Sequence, residues 1–260
     1  MKEGGQLLEK NTKTEEELQK PILEVKGITK RFGGIVALEK VDLKLHPNEV
    51  LALLGDNGAG KTTLIKVICG AYYPNEGKIF VEGKEGKITN PEEAANLGIE
   101  TIYQDLALFD VLDIPTNLFM GREIERSLRI LDKKKMKKKS WDILKKLKIE
   151  IKSINQRVEN LSGGQRHAVA IGRAIYVGNV PKIILMDEPT AGLGAKESDK
   201  LLDLIKELRE KGISVILISH NLQHVFAVAD RAVVLRSGKV VGEKKIVETS
   251  TAELIQMMIG

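Results

Sequence analysis

A glycine-rich segment, GDNGAGKT at residues 55–62, has the residue types needed to hold a chain of phosphates. It fits the pattern G-x-x-x-x-G-K-[ST] in full, and it lies between the apolar run Val50–Leu54 and a helix predicted to begin near Lys61. Glycines let the backbone turn its N–H groups inward, and a helix N-terminus adds partial positive charge. We therefore expect a nucleotide phosphate site, although a glycine-rich turn with an incidental lysine would have the same composition.

The side chains of this segment have distinct expected tasks. Lys61 reaches the β and γ phosphates, the Thr62 hydroxyl ligates Mg²⁺, and Thr63 supports the α phosphate. The other residues surround the phosphates with backbone groups: Gly55, Asp56, Asn57, Gly58, Ala59 and Gly60. A phosphate loop alone leaves kinases, GTPases and many ATPases open.

A second segment with chemically active side chains is IILMDEP at 183–189, an apolar run that ends in two acids. We expect the run to form a buried strand. Ligands of a parallel sheet sit beyond the carboxyl ends of its strands. Asp187 is placed to hold Mg²⁺ through water, and Glu188 to orient and deprotonate an attacking water. Two acids here could instead cap a helix. Beside a phosphate loop, we predict that they form part of a hydrolytic site.

The phosphate loop and the two acids must be positioned by strands, and the chain has apolar runs of strand length. The runs Val50–Leu54, 183–186 and 214–219, with a helical pattern at 196–211 before the last, predict a parallel core with crossover helices. Short runs from Ile22 onward, including GKIFVEG, predict an antiparallel sheet beside that core.

Residues from about 106 to 177 have no strand-type runs and predict a helical lobe. Within it, KKKMKKKSWDILKKLKI at 133–149 predicts a helix with Met136, Trp141 and Leu144 near one face. The lysine run has the charge to bind phosphate or anionic lipid, but a solvated helix face explains it as well. The sequence assigns it no function.

Composition narrows the class of protein. The chain has 260 residues, 42% of them hydrophobic and 30% charged, as expected for a packed enzyme. Its net charge of +5 would favour binding to nucleic acid, but only 4% of its residues are aromatic and could stack on bases. We therefore predict no nucleic acid partner. Residues 1–21 are predicted to be a charged tail without a signal peptide, and the longest apolar runs are too short to cross a bilayer. Any membrane association should come through a partner.

The segment LSGGQRHAVAIGRA at 161–174 resembles the signature of ABC ATPases. Ser162, Gly163, Gly164 and Gln165 open a helix, whose N-terminus can bind anionic oxygen. In that family the segment meets the γ phosphate of an ATP held by another subunit. The resemblance therefore implies ATP as the nucleotide and an ATP-dependent homodimer.

Other family landmarks follow in order. Phe32 in KRFGGIVAL corresponds to the adenine-stacking aromatic, Gln104 in TIYQDLALF to the Q-loop glutamine that contacts Mg²⁺ and the γ phosphate, and His220 to the switch histidine. The resemblance implies an α/β P-loop NTPase fold with a RecA-like parallel core, an antiparallel β subdomain and a helical signature subdomain at about 106–177. These form a single domain at residues 22–260. It also implies that Lys61, Gln104, Glu188 and His220 act in catalysis.

Segments at 103–123, 188–197 and 219–241 are similar to ATPases of monosaccharide importers of the ribose and xylose type. The similarity implies integral membrane permease subunits as partners, a sugar-binding protein as an indirect one, and a peripheral position on the cytoplasmic face of the cell (inner) membrane. Another importer, an exporter or a lipoprotein-release system is the alternative. The segment AGLGAKE at 191–197 corresponds to the D-loop of the family, and Gly194 departs from the family there, because most ABC ATPases have aspartate where the D-loop closes.

The permease is expected to dock near the Q-loop. Five apolar residues supply surface there or pack the helical lobe: Leu106, Leu108, Phe109, Leu112 and Phe119. Rival interpretations are an ABC ATPase that acts on nucleic acid and an inactive nucleotide-binding module. The first generally has two ATPase halves or long coiled-coil insertions, and the second lacks the lysine or the base.

Overall fold

The computed structural model describes residues 20–127, 130–178 and 180–260. The predicted tail at 1–21 lies outside the described residues except for its last two positions. Two sheets with helices around them form an α/β architecture, as the sequence predicted.

The smaller sheet is antiparallel, with the strand order β2-β1-β4-β5. Its strands are β1 (Leu23–Phe32), β2 (Ile35–Leu45), β4 (Glu76–Val81) and β5 (Lys84–Glu85). Strand β1 pairs with both β2 and β4, so its end at Phe32 lies beside the turn into β2.

The larger sheet has the order β10-β9-β3-β8-β7-β6. Its strands are β3 (Val50–Leu54), β6 (Ile99–Ile102), β7 (Ile183–Asp187), β8 (Ser214–Ile218), β9 (Arg231–Arg236) and β10 (Lys239–Lys245). All neighbours are parallel except β9 and β10. Every residue of β3, β7 and β8 is buried, which explains their unbroken apolar runs, because helices cover both faces of a parallel sheet.

The helices of the described chain are α1 (Lys61–Ile68), α2 (Pro91–Asn96), α3 (Ile114–Phe119), α4 (Lys133–Lys146), α5 (Gly163–Tyr176), α6 (Ala195–Glu210), α7 (Leu222–Val228) and α8 (Thr251–Ile259). Short 3₁₀ turns occupy Val158–Asn160 and Ile246–Glu248. Within residues 20–127, 130–178 and 180–260, none of these helices combines the length and apolar character that crossing a membrane requires.

Helices α3, α4 and α5 share an apolar core of their own, separate from the cores on the larger sheet. Met136, Ile143 and Leu144 bury one side of α4 in it. Trp141 does not belong to this side, contrary to the prediction, and its side chain is 45% exposed. The reason is helical geometry, because five residues correspond to about 140° of rotation and carry Trp141 away from the direction of Met136.

Candidate active site

The phosphate loop joins β3 to α1 and depends on glycine at two crowded positions. Gly55 has a φ of 145°, and a Cβ there would lie 2.2 Å from the carbonyl oxygen of Leu235. Gly60 has a φ of 105°, and a Cβ there would lie 2.8 Å from the carbonyl oxygen of Ala37. Any other residue at these two positions would collide with neighbouring backbone, so the loop takes this path only with glycine.

Lys61, the first residue of α1, folds back over the loop. Its Nζ donates hydrogen bonds to the carbonyl oxygens of Gly55, at 2.7 Å, and Asp56, at 2.9 Å. Burial lowers the pKa of Lys61, while the charges of Glu188, Asp187 and Asp56 act in the opposite direction. The ammonium group therefore lies among acids, at the place where the sequence predicted phosphate binding.

Asp187 ends strand β7 and is only 3% exposed. Burial raises the pKa of Asp187 most, the charge of Glu188 raises it further, and a hydrogen bond from Thr62 opposes both. A hydroxyl and one carboxylate are a suitable donor set for Mg²⁺, which usually takes its other ligands from phosphates and water. No group of three or more His, Cys, Asp or Glu side chains suited to a metal occurs in the described ranges, so an all-protein metal cage is not formed there.

Glu188 and His220 meet across the ends of two neighbouring strands. His220 Nδ1 lies 3.1 Å from Glu188 Oε2. Strands β7 and β8 are in register with Asp187 opposite Ile218, so the residues that follow them emerge side by side. Glu188 has a φ of 49°, and its N–H donates to the carbonyl of Ile218 at 3.0 Å. This left-handed backbone directs the chain away from β7 at the position of the predicted base.

Gln104 lies at the same edge of the sheet. It follows β6, in which Ile102 is opposite Met186 of β7. Gln104 therefore leaves the sheet near the carboxyl end of β7, one position beyond the level of Asp187, and it is exposed. Its amide is available at this edge for a ligand or a metal-bound water.

Phe32 is 42% exposed at the end of β1. Its ring packs edge-on against Tyr72, with a centroid distance of 5.2 Å and an interplanar angle of 74°. Lys30 Nζ lies 5.1 Å from the centre of the Phe32 ring and 5.8 Å from that of Tyr72. Tyr72 was not predicted as a site residue, because it follows α1 without any motif to mark it. Two aromatic rings rather than one thus border the predicted adenine site.

The signature segment begins helix α5 with a reciprocal cap. Ser162 Oγ accepts from the N–H of Gln165 at 3.3 Å, and Gln165 Oε1 accepts from the N–H of Ser162 at 2.9 Å. Gly164 packs so closely on Glu197 of α6 that a Cβ would lie 2.5 Å from Glu197 Oε1. The same carboxylate accepts from the N–H of Gly194 at 3.3 Å through its other oxygen. The signature segment is thereby joined to the D-loop of its own chain.

Residues 162, 164 and 165 also border a cavity of about 380 Å³. Its other lining residues come from α5, α6, the segment around Ile149 and Leu193 just before α6, and none belongs to residues 55–63. The structure brings Lys61, Thr62, Asp187, Glu188 and His220 together, but the signature segment borders a different part of the same chain.

Arg173, which sequence reasoning missed, joins α5 to the Q-loop. Its guanidinium donates to the carbonyl oxygens of Leu106 and Ala107, each at 3.0 Å. Asn117 on α3 is fully buried and holds the next part of the loop, because it both accepts from the N–H of Phe109 and donates to its carbonyl. The signal for Arg173 was present in AVAIGRAI, where an arginine interrupts an apolar helix.

The five predicted docking residues separate into different environments. Phe119 is 3% exposed and belongs to the helical core, so of the two predicted alternatives it packs the lobe. Leu106 and Leu108 are partly buried against cores, whereas Phe109 is 52% exposed. Val111, which was not selected, is 64% exposed. Helix α3 carries Phe119 inward because Ile114 and Leu118 share its buried side.

Comparison with known proteins identifies relatives over most of the chain. The ABC transporter family profile matches residues 38–191. The chain is 48% identical to a xylose/arabinose import ATP-binding protein of Sulfolobus acidocaldarius over 91% of this chain and 93% of that protein. It is 48% identical to a fructose import ATP-binding protein of Rhizobium meliloti over 85% of this chain and 87% of that protein.

Solved structures agree with this result. A nucleotide-free ATP-binding cassette from an ABC transporter superposes with a TM-score of 0.79 at 28% identity, covering 92% of this chain and 95% of that one. A dimeric cassette in a post-hydrolysis state, bound to ADP and Pi, superposes with a TM-score of 0.74 at 27% identity, covering 86% of this chain and 98% of that one. The predicted α/β P-loop NTPase fold and the predicted family are confirmed. The chain belongs to the ABC transporter family, as one of its ATP-hydrolysing cassettes.

Proposed function

We propose that this chain is the ATP-binding and hydrolysing subunit that energises uptake of a monosaccharide through a separate membrane permease. The observation that carries the proposal is the 48% identity, over at least 85% of the chain, to import ATP-binding proteins for xylose/arabinose and for fructose. A ribose import ATP-binding protein of Caldanaerobacter subterraneus is 41% identical over 92% of this chain and 48% of that protein. All three of these relatives are named for the import of monosaccharides.

Catalysis in the proposed function is attack of water on the γ phosphate of ATP. Glu188 accepts the proton of the attacking water, a task typically worth about 10²–10⁴-fold in rate. Lys61 exchanges its bonds to the loop carbonyls for phosphate oxygens and stabilises the charge that develops on them. His220 holds the Glu188 carboxylate in place, and Gln104 orients water at the same edge.

Nucleotide and metal are held by groups from several elements. The backbone of residues 55–60 with Thr63 surrounds the phosphates, and Phe32 packs against the adenine. Thr62 and Asp187 would hold Mg²⁺, with Gln104 joining through its amide oxygen or a water. Bound there, Mg²⁺ supplies positive charge next to the phosphates.

The active unit in the proposal is a homodimer. The helix N-terminus at residues 162–165 borders a cavity to which the described phosphate loop of the same chain contributes no lining residue. A head-to-tail pair gives this N-terminus an ATP held by the second copy. The dimeric cassette bound to ADP and Pi, which covers 86% of this chain in superposition, supports the arrangement.

The permease in the proposal docks beside the Q-loop. Phe109 and Val111 offer exposed apolar side chains there. A neighbouring cleft of about 500 Å³ is lined by residues that include Glu100, Tyr103 and Arg122. An intracellular helix of the permease fits this surface and would place the chain on the cytoplasmic face of the membrane. A sugar-binding protein acts only through the permease.

A deletion and complementation experiment tests the proposal. Cells that lack the gene are expected to stop accumulating one radiolabelled monosaccharide from a panel of xylose, arabinose, ribose and fructose. The wild-type gene restores uptake, and a gene with Glu188→Gln does not. Unchanged uptake of every sugar, together with accumulation of a lipoprotein or another compound that is normally exported, would replace import by the alternative export function.

A further inference from the structure

Helix α4 concentrates positive charge in a way that ATP hydrolysis does not use. Its fourteen residues include eight lysines and one aspartate, a net charge of +7, whereas the whole chain has a net charge of only +5. The remainder of the protein is therefore slightly acidic, and the basic character of the chain comes from one helix. If the lysines served only to solvate the surface, we would expect them to be spread evenly over it and not concentrated on one helix.

One side of α4 combines lysine with the single tryptophan of the chain. Lys134, Lys138, Trp141 and Lys145 follow one another at spacings of four, three and four residues, which places them along the same side of a helix. All four are exposed. We call this set the Lys–Trp face. It points away from the helical core that Met136, Ile143 and Leu144 enter.

The lysines of the Lys–Trp face form no ion pair in the described part of the chain. The one acid of α4, Asp142, follows Trp141 and is paired with neither Lys138 nor Lys145, so it offsets only part of the charge of the face. Beyond the helix, Asp132 pairs with Arg126 and Glu207 pairs with Lys148. Asp132 caps α4 by accepting from the N–H of Lys135 at 3.0 Å, and no acid occupies the first turn of the helix. Lysines in a first turn oppose the helix dipole, so this arrangement lowers helix stability unless an anion covers it.

Apolar side chains border the same region. Ile130 is 59% exposed and Leu131 is 42% exposed, directly before α4 begins, and Trp141 is 45% exposed further along. Tryptophan and lysine together are typical of a surface that lies at the headgroup level of a bilayer, where the indole enters the interface and ammonium groups meet phosphates.

From the Lys–Trp face we propose that helix α4 binds directly to anionic lipid headgroups of the membrane. Nucleic acid fits the face less well, because α4 has no arginine for bidentate recognition and only one aromatic ring for stacking. Each lysine near an anionic membrane adds a modest attraction that falls off within a Debye length. Anchoring at the membrane by another contact would make such a weak attraction effective, since it raises the local concentration of lipid.

The single tryptophan makes the proposal directly measurable in the full chain. We expect the protein to sediment with vesicles of phosphatidylcholine and phosphatidylglycerol in equal parts, and the emission of Trp141 to shift to shorter wavelength. Vesicles of phosphatidylcholine alone should produce neither effect. Binding should weaken as sodium chloride rises from about 0.1 M to about 1 M, because the Debye length falls from about 10 Å to about 3 Å.

Matched variants separate the face from net charge. A triple variant with Lys134→Gln, Lys138→Gln and Lys145→Gln is expected to bind anionic vesicles about 100-fold more weakly. A control triple with Lys200→Gln, Lys206→Gln and Lys211→Gln loses the same charge from exposed sites on or directly after α6 and should bind like wild type. Trp141→Gln should weaken binding several-fold and Trp141→Phe much less. Thermal unfolding and ATP hydrolysis of each variant show that it is folded.

Several results would overturn the proposal. They are equal binding to neutral and anionic vesicles, equal losses in the two lysine triples, or no vesicle binding at all. A shift of Trp141 emission by an RNA oligonucleotide, at concentrations where vesicles produce none, would assign the face to nucleic acid. A shift caused by inorganic phosphate beyond that of sodium chloride at the same ionic strength would assign it to a soluble phosphate instead.

Discussion

His220 Nδ1 lies 3.1 Å from Glu188 Oε2, and the two residues follow adjacent parallel strands whose ends are in register. The Glu188 side chain is 20% exposed and that of His220 is 72% exposed. The carboxylate is therefore sheltered, while the imidazole reaches it from the solvent side. This arrangement lets the histidine fix the direction of the carboxylate that we propose as the acceptor of the proton from water.

His220→Ala is expected to lower kcat for ATP by about 10²-fold, because Glu188 loses the group that orients it. The KM for ATP should change little, since the contact of His220 is with Glu188, whereas Lys61 makes the side-chain hydrogen bonds to the carbonyls of the phosphate loop. Steady-state hydrolysis with Mg²⁺ measures both constants. His224→Ala is the matched control, because His224 contacts Thr190 and Asn221 rather than Glu188. Equal losses in the two variants would contradict a specific role for His220.

Asp187→Asn is expected to raise the thermal stability of the nucleotide-free protein at neutral pH. Burial raises the pKa of Asp187, so the folded protein binds this proton more tightly than the unfolded chain does. The stability that this proton contributes is present below the unfolded pKa of about 3.9 and is lost as pH rises through the raised folded value. At neutral pH the ionised carboxylate therefore costs folding free energy, which asparagine avoids.

Thermal unfolding of the wild type and Asp187→Asn across a pH series, in EDTA, measures this effect. The advantage of the variant should vanish in acid below the unfolded pKa. Addition of Mg²⁺ and ATP should reverse the order at neutral pH, because only the wild type keeps the carboxylate that would hold the cation. An advantage that stays constant at all pH values would show that the charge of Asp187 is not its cause.

Gly164→Ala is expected to reduce the free energy of unfolding by about 0.5–1 kcal/mol, because the new methyl group displaces the flexible Glu197 carboxylate, which then loses its hydrogen bond from the N–H of Gly194. Gly163→Ala is the control, since its Cβ would lie 3.7 Å from the nearest atom, in Leu193. Urea denaturation compares the two. A double variant of Gly164→Ala with Glu197→Ala should recover part of the loss, and the absence of any recovery would mean that the clash with Glu197 is not responsible.

Arg173→Met is expected to loosen the Q-loop, because the carbonyls of Leu106 and Ala107 lose a charged donor. The expected loss of unfolding free energy is about 1–3 kcal/mol. Hydrogen exchange should rise at residues 105–109, with smaller changes in β7. Arg166→Gln removes an exposed ion pair with Asp110 and should cost less than about 1 kcal/mol. Equal exchange at residues 105–109 in both variants would contradict a specific role for Arg173.

The parts of the fold that the sequence predicted are those in which local pattern and burial agree. Strands β3, β7 and β8 are buried throughout, so their apolar runs identified them without ambiguity. The phosphate loop was equally clear, because glycine is required where Gly55 and Gly60 approach other backbone. Strand β6 was missed, since it has only four residues and its two middle ones, Glu100 and Thr101, are polar and partly buried.

Features that depend on pairing between distant segments were not predictable. No motif joins Arg173 to residues 106–107, or Phe32 to Tyr72, because these contacts exist only after the lobes fold. Trp141 was placed on the wrong side of α4, since an apolar side chain was taken as evidence of burial. The close contact of Gly164 with Glu197 likewise needs the packing of α5 on α6.

The most direct test of the account compares ATP hydrolysis by the wild type and Glu188→Gln while size-exclusion chromatography follows the oligomeric state with ATP and Mg²⁺ present. The account predicts that the wild type hydrolyses ATP and that the variant, unable to accept the proton from water, loses turnover by about 10²-fold or more and accumulates as an ATP-bound dimer. Wild-type turnover by Glu188→Gln would contradict it, because the carboxylate that His220 holds would then not be the base.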